Sequence, residues 1–237
     1  MFVEKFKYIP MGKQTFMSDL RLLYSPYEVT NQRTVFERAI KRGVDIIVSM
    51  TAIAFFGPFF VIATIAIMLD SPGPIIFRQR RGGLNGKEFV IFKFRTMTVL
   101  EDGPVVTQVR ADDLRVTRIG KLLRRSSIDE LPQLFNVLRG DMSLVGPRPH
   151  ALAHDDKYRV HITGYADRYH VVPGLTGWAQ VNGLRGETAS FAQMAERVKF
   201  DLWYISNWSL GLDLIILLRT GFSLLRTGFE VIRDRAC

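Results

Sequence analysis

Apolar and charged positions separate most sharply between Ile46 and Leu69, where 24 consecutive residues carry no charge. At about 1.5 Å of rise per residue, a helix of that length reaches across a hydrocarbon layer of about 30 Å. Gly57 and Pro58 fall near its middle and leave arms of 11 or 12 residues, each about half that thickness. Proline removes a backbone hydrogen bond and bends a helix. Lys41 and Arg42 precede the run, and Arg78, Arg80 and Arg81 follow it. Positive flanks favour the cytoplasmic side, and here both flanks ask for it. Two readings fit, a kinked spanning helix and a re-entrant helix-break-helix, and the flanking charge favours the second.

Elsewhere the pattern predicts short elements. Thr34 to Arg42 forms an amphipathic turn leading into the apolar run, and Ser71-Pro72-Gly73-Pro74 ends it. Ile75–Arg80 and Glu88–Thr96 read as two strands around the turn residues Gly82-Gly83 and Asn85-Gly86, a hairpin signal. Helices are expected over Arg115–Leu123, Ile128–Leu138 and Glu187–Ser206, with Val99–Ala111 a loop and residues 150–167 irregular or helical. Pro173–Gly177 reads as a turn and Trp178–Val181 as a short strand. Trp208–Phe229 mixes leucine and isoleucine with Arg219 and Arg226, as an amphipathic helix lying in a membrane interface does, with Trp203, Tyr204 and Trp208 at headgroup depth.

The fold class is therefore α+β, mostly α. Its parts are an N-terminal extension over 1–37, a membrane hairpin over 38–70 and a membrane-associated catalytic domain over 71–237. A net charge of +9 alone points toward nucleic acid, but the 47% hydrophobic content favours an anionic membrane or a phosphorylated substrate. No interleaved aromatic and basic recognition motif supports nucleic acid. The single cysteine, Cys237, excludes an intramolecular disulfide, and the apolar run begins too late for an ordinary signal peptide.

The densest chemistry lies between Arg124 and Pro149. Asp129 and Glu130 precede Pro132, and Arg148 is clamped between Pro147 and Pro149. Ser127-x-x-Glu130 matches a capping box, so the acids have a purely structural reading. A helix starting at Ile128 or Asp129 instead places Pro132 in its first turn, where proline is tolerated. That start sets the helix dipole beside Asp129, lowering its pKa and attracting phosphate. Arg125 and Arg148, with Lys93 and Arg95 on the second strand, are candidate phosphate contacts, since guanidinium groups match phosphate oxygens. Asp141 is a rival nucleophile. His150 and His154 have metal-like spacing but no third ligand. No P-loop or cofactor fingerprint occurs.

An ordered set of motifs now resembles one family: Lys41-Arg42-Gly43-Val44-Asp45 before the broken apolar run, Lys93–Met97, Asp129–Gln133, Gly140–Pro149, Pro173–Trp178 and Asp201–Tyr204. The chain resembles, over roughly Arg38 to Thr227, the bacterial sugar transferases that start surface-polysaccharide assembly, the monotopic polyprenyl-phosphate hexose-1-phosphate transferases. The resemblance implies a re-entrant helix broken at Gly57 and Pro58, on the cytoplasmic face of the bacterial inner membrane. It implies a two-step transfer from a UDP-sugar to undecaprenyl phosphate, with Asp129 as nucleophile and Glu130 holding Mg²⁺. Arg148 grips a substrate phosphate, with Lys93, Arg95 and Arg125 as further contacts. The C-terminal region resembles members that use glucose or galactose, although Leu184 stands where a more polar residue is expected. A homodimer through the membrane-proximal helices is compatible with the pattern. The competing class is a basic, non-catalytic membrane adaptor, which predicts that Asp129→Asn leaves function intact.

Overall fold

The computed structural model describes residues 34–99, 102, 108–109, 113–188 and 190–236, with side chains described as far as residue 227. Most of the expected N-terminal extension, most of the 99–111 loop and Cys237 lie outside the described residues.

Helix α1, Val35–Asp70, opens on a capping box: Thr34 Oγ1 accepts from Glu37 N at 3.1 Å while the Glu37 carboxylate accepts from Thr34 N at 2.9 Å. Gly57 and Pro58, the expected break, lie inside this helix, which runs through them as one element. Proline forfeits one intrahelical bond there without ending the helix. A stripe at three- and four-residue spacing turns inward: Lys41, Asp45 and Ser49, then Ala63 and Ile67. The opposite face leaves Ile47, Phe55, Val61, Ile62, Ile65 and Leu69 exposed.

Strands β1, Ile76–Gly82, and β2, Glu88–Phe94, pair antiparallel from Ile76↔Phe94 to Gly82↔Glu88. Their connection takes the expected turn residues because Asn85 has φ 55° and Gly86 has φ 72°, the left-handed region that asparagine and glycine tolerate. Helix α2, Arg118–Ser126, is capped by Thr117, whose hydroxyl accepts from Gly120 N at 3.0 Å. Helix α3, Gln133–Arg139, follows a single 3-10 turn over Ile128–Glu130.

Two three-residue strands, β3 (Ser143–Val145) and β4 (Gly174–Thr176), pair in parallel. Helix α4 covers Leu152–Arg159, a 3-10 stretch Tyr165–His170, and α5 is the single turn Trp178–Val181. The strand expected at Trp178–Val181 is thus helical, and the strand lies one motif earlier. Trp178 stacks on Trp203 with ring centroids 4.9 Å apart, a tertiary contact that overrides the strand propensity of the segment. Helices α6, Phe191–Ser206, and α7, Leu210–Ala236, complete the chain.

The main core gathers Val137, Met142, Val145, Tyr165, Val198, Tyr204 and Ile216, and Ala52 and Ile53 of α1 pack against it. A second cluster joins Ala63 and Ile67 to Phe94 and Leu123, with Phe60 against it. Both halves of the apolar helix are therefore seated on the hydrophobic clusters of the remaining fold.

Candidate active site

The two acids enter the site from a tight connection. Ser127 is the left-handed cap of α2, with φ 59°, and makes no capping bond to the following turn. The N–H groups of Glu130 and Leu131 already donate to Ser127 O and Ile128 O. Pro132 sits at the N-cap of α3, so the helix starts at Gln133, not at the acids. Neither the capping box nor the dipole placement expected from sequence forms.

Arg148 arrives on a backbone held from both sides. Gly146 N donates to Thr176 O at 2.9 Å, and Gly174 N to Pro147 O at 2.8 Å. A Cβ on Gly174 would lie 2.1 Å from Gly146 N, so only glycine allows this approach. Arg168 Nη2 donates to Arg148 O at 2.5 Å, and Arg168 Nε to the buried Asp201 at 2.9 Å.

These segments meet at a cleft of about 880 Å³ whose lining includes Asp129, Glu130, Lys93, Arg148, Arg125 and Arg124. Arg81, Lys121, Arg185 and Arg197 also line it, giving among the described residues eight lysines and arginines against three carboxylates, Glu187 being the third. Such a field focuses a polyanion. Glu130 receives both terminal nitrogens of Arg148 and, at 2.9 Å, the Lys93 ammonium. Burial alone raises the Glu130 pKa, but these two cations overcome it and hold the carboxyl well below its ordinary value. Asp129 moves the other way. Burial first, then the Glu130 charge, push it up to about 6 despite Lys93, Arg124 and Arg148. The lowered pKa expected of Asp129 is therefore corrected; it belongs to its neighbour.

Of the other residues singled out in sequence, Lys93 and Arg125 line the cleft. Arg95 does not. Its Nη1 donates to Pro72 O at 2.5 Å and its Nη2 to Ser71 O at 2.5 Å and Ile67 O at 3.3 Å, closing the C-terminal end of α1. Asp141, 3.3 Å from Arg139 Nε, is outside the lining. Gly57 and Pro58 belong to α1, away from it. Among the described residues no group of three or more histidine, cysteine or carboxylate side chains is placed to hold a metal.

Sequence reasoning missed Arg81, Arg197 and His150 as lining residues. Arg81 read as a membrane-flanking charge. Arg197 carried a signal, because it lies on the buried face of α6 between Met194 and Val198. His150 was visible only as one half of a weak metal pattern.

The description "Bacterial sugar transferase" matches residues 36–227 of the chain. A UDP-glucose:undecaprenyl-phosphate glucose-1-phosphate transferase of Caulobacter vibrioides is 57% identical over 184 residues, 78% of this chain and 69% of that protein. The Escherichia coli protein of the same description is 50% identical over 185 residues, 78% of this chain and 40% of that protein. A UDP-N-acetylgalactosamine-undecaprenyl-phosphate N-acetylgalactosaminephosphotransferase of Aeromonas hydrophila is 43% identical over 181 residues, 76% of this chain and 42% of that protein. The chain spans about two fifths of the length of the two longer relatives. With the match covering most of its length and both catalytic-type acids inside it, this chain belongs to the bacterial sugar transferases.

Proposed function

We propose that this protein transfers a sugar-1-phosphate from a UDP-sugar to undecaprenyl phosphate, giving undecaprenyl diphosphosugar and UMP, as the first membrane step of surface-polysaccharide synthesis. The carrying observation is the division of the acid pair: Glu130 is neutralised by Arg148 and Lys93, whereas Asp129 faces the same cationic cleft with a pKa of about 6 and is mostly ionised at neutral pH. The descriptions of the Caulobacter and Escherichia proteins make glucose the first sugar to test.

An Asp129 carboxylate oxygen attacks the β-phosphorus of the donor. The bond from that phosphorus to the bridging oxygen breaks, and UMP departs with the electron pair. An oxygen of the lipid phosphate then attacks the same phosphorus, and Asp129 leaves as a carboxylate. Arg148, Lys93 and Arg125 bind the equatorial phosphate oxygens. Mg²⁺ is held in proteins by one or two carboxylates together with substrate phosphates. Glu130, with Asp129 beside it, fits that donor set, and the ion supplies further neutralisation of phosphate charge. Glu130 would hold the ion in place of Arg148 or Lys93, the cations now bound to it.

The seating of both halves of α1 on one body supports the re-entrant placement, with residues 38–70 as the membrane hairpin and 71–237 as the catalytic domain at the cytoplasmic face of the inner membrane. Its exposed apolar face meets lipid from one leaflet.

The test is incubation with radiolabelled UDP-sugars, Mg²⁺ and undecaprenyl phosphate. Label in the lipid with release of UMP, abolished by EDTA and by Asp129→Asn, is expected. No transfer from any hexose or N-acetylhexosamine donor, or full turnover by Asp129→Asn, overturns the reading.

A further inference from the structure

The motif Asp201–Tyr204, and the arginine that meets it, take no part in the transfer steps above. Asp201 is buried on α6 and accepts from Arg168 Nε at 2.9 Å. Arg168 is buried as well, in the 3-10 stretch Tyr165–His170, and neither residue lines the cleft. Taking two charges out of water is expensive, and their attraction repays it only where further hydrogen bonds fix the geometry. The guanidinium has such contacts. Its Nη2 donates to Arg148 O at 2.5 Å, its Nη1 lies 3.1 Å from His150 Nδ1, and its central carbon stands 5.1 Å over the centre of the Tyr165 ring.

Arg148 depends on the first of these because of its neighbours. Pro147 and Pro149 have no N–H, so a strand ladder cannot hold the segment through their nitrogens. What fixes it is the donor that each carbonyl receives. Pro147 O accepts from Gly174 N at 2.8 Å and Pro149 O from Arg81 Nη1 at 3.1 Å, and between them Arg148 O takes Arg168. The Arg168 bond is the one made to the residue whose side chain reaches Glu130. A bidentate contact between guanidinium and phosphate tolerates little displacement, because two donors must meet two oxygens at once.

We propose that Arg168, aimed by Asp201, is a positioning residue for Arg148, setting where its guanidinium meets the sugar-bearing phosphate of the UDP donor. This rests on the transferase reading and gives the Asp201 motif a task in it. The pair acts through Arg148 and needs no contact with substrate.

The experiment is a mutant cycle on the full-length protein in detergent. One arm replaces the pair, Arg168→Met together with Asp201→Leu, so that no lone buried charge remains. The other is Arg148→Lys, which keeps a charge but loses the fork. The readout is kcat/KM for the UDP-sugar that the parent transfers, followed by UMP release, which in a two-step transfer reports the half reaction on the donor. Replacing the pair should lower kcat/KM about tenfold in the parent, the scale of one lost hydrogen bond, and no more than about twofold in Arg148→Lys. The shift in Tm on replacing the pair should be the same in both backgrounds. An equal loss of kcat/KM in both, as a purely structural pair gives, overturns the proposal, and so does no loss in either. Arg168→Lys keeps a charge beside Asp201 without the fork that reaches Arg148 O. It carries the same expectations and takes the place of the replaced pair should that protein fail to fold. A parent that transfers no sugar from any UDP-sugar removes the transferase reading and the inference together, whereas transfer by the parent with additive losses removes the inference alone.

Discussion

Asp129→Asn separates the charge of the proposed nucleophile from its shape, and the structure sets the sign of its effect on stability. A carboxyl raised from 3.8 to about 6 binds its proton more tightly folded than unfolded. Stability is therefore lost as pH rises from about 4 through 6 and levels off above. At 1.36 kcal/mol per unit, the ionised group costs on the order of 3 kcal/mol at pH 8 and roughly half of that at pH 5. Asparagine carries no such cost. Whatever its amide loses in hydrogen bonding is constant with pH, so the informative quantity is the change in the gap between variant and parent.

That gap should move in favour of the variant by on the order of 1–2 kcal/mol between pH 5 and pH 8. For a chain of this size each kcal/mol moves Tm by about 2–4 °C. Thermal unfolding in detergent, with EDTA so that only protein charges act, provides the measurement. The same variant should show no sugar transfer at any pH, a loss of activity with a gain of stability. A gap that shrinks as pH rises would refute the reasoning, because it is the signature of a carboxylate stabilised by its surroundings, as the helix-start placement requires. A constant gap would refute it too.

Glu130→Gln removes the second cause of the Asp129 shift after burial. Carbon-13 titration of labelled aspartate should find the Asp129 pKa below 6 yet still above 3.8, and turnover should fall at least about a hundredfold, the scale of losing a preorganised charge contact. Arg95→Met removes the donor to Ser71 O and Pro72 O just beyond α1, while Ile67 O keeps the Ser71 N–H. It should lower stability by about 2 kcal/mol in denaturant unfolding and leave UDP affinity within about twofold. For topology, single cysteines introduced as Thr34→Cys and Ser71→Cys in a Cys237→Ser background should both react with a membrane-impermeant thiol reagent added from the cytoplasmic side. Protection of one of them there, with reaction from the other side, would establish a spanning helix.

Much of this architecture was legible where the cause is local. The hairpin turn is marked by Asn85-Gly86, and the amphipathic start of α1 by Thr34 and Glu37 three residues apart. Legibility failed where tertiary partners decide. Lys93 and Arg95 are two apart, and strand alternation puts both on one face. The strand, however, ends at Phe94. Beyond it Arg95 is captured by the carbonyls of Ile67, Ser71 and Pro72, more than twenty residues back in the chain. Likewise, no local pattern shows that Ser127 adopts φ 59°, yet that one residue takes the acids out of the helix start and into a separate turn. The pair Glu130–Arg148 spans 18 residues and Glu130–Lys93 spans 37, so the reversal of their pKa shifts had no signature in the segment itself.

The same contacts give the apolar helix a second task beyond attachment. Near its start, Lys41 Nζ donates to Val145 O at 3.0 Å and pairs with Asp213 at 2.5 Å, while Asp45 accepts from Ser143 Oγ and Leu144 N at 3.1 and 3.0 Å. Val145 lies three residues before Arg148. At the far end, Arg95, two residues after Lys93, holds Ile67 O in the last turn of α1 and Ser71 O just beyond it. The two ends of the helix are thus bonded to the two backbones that carry the cations on Glu130. Buried polar contacts of this kind have few alternative arrangements, since leaving any donor unmatched costs about 1–3 kcal/mol. A shift of the helix must therefore pull on Arg148 and Lys93 together. The seat of the apolar helix and the spacing of the two cations on Glu130 are one mechanical unit, which in the proposed reaction would hold the cleft's geometry while a lipid phosphate is bound.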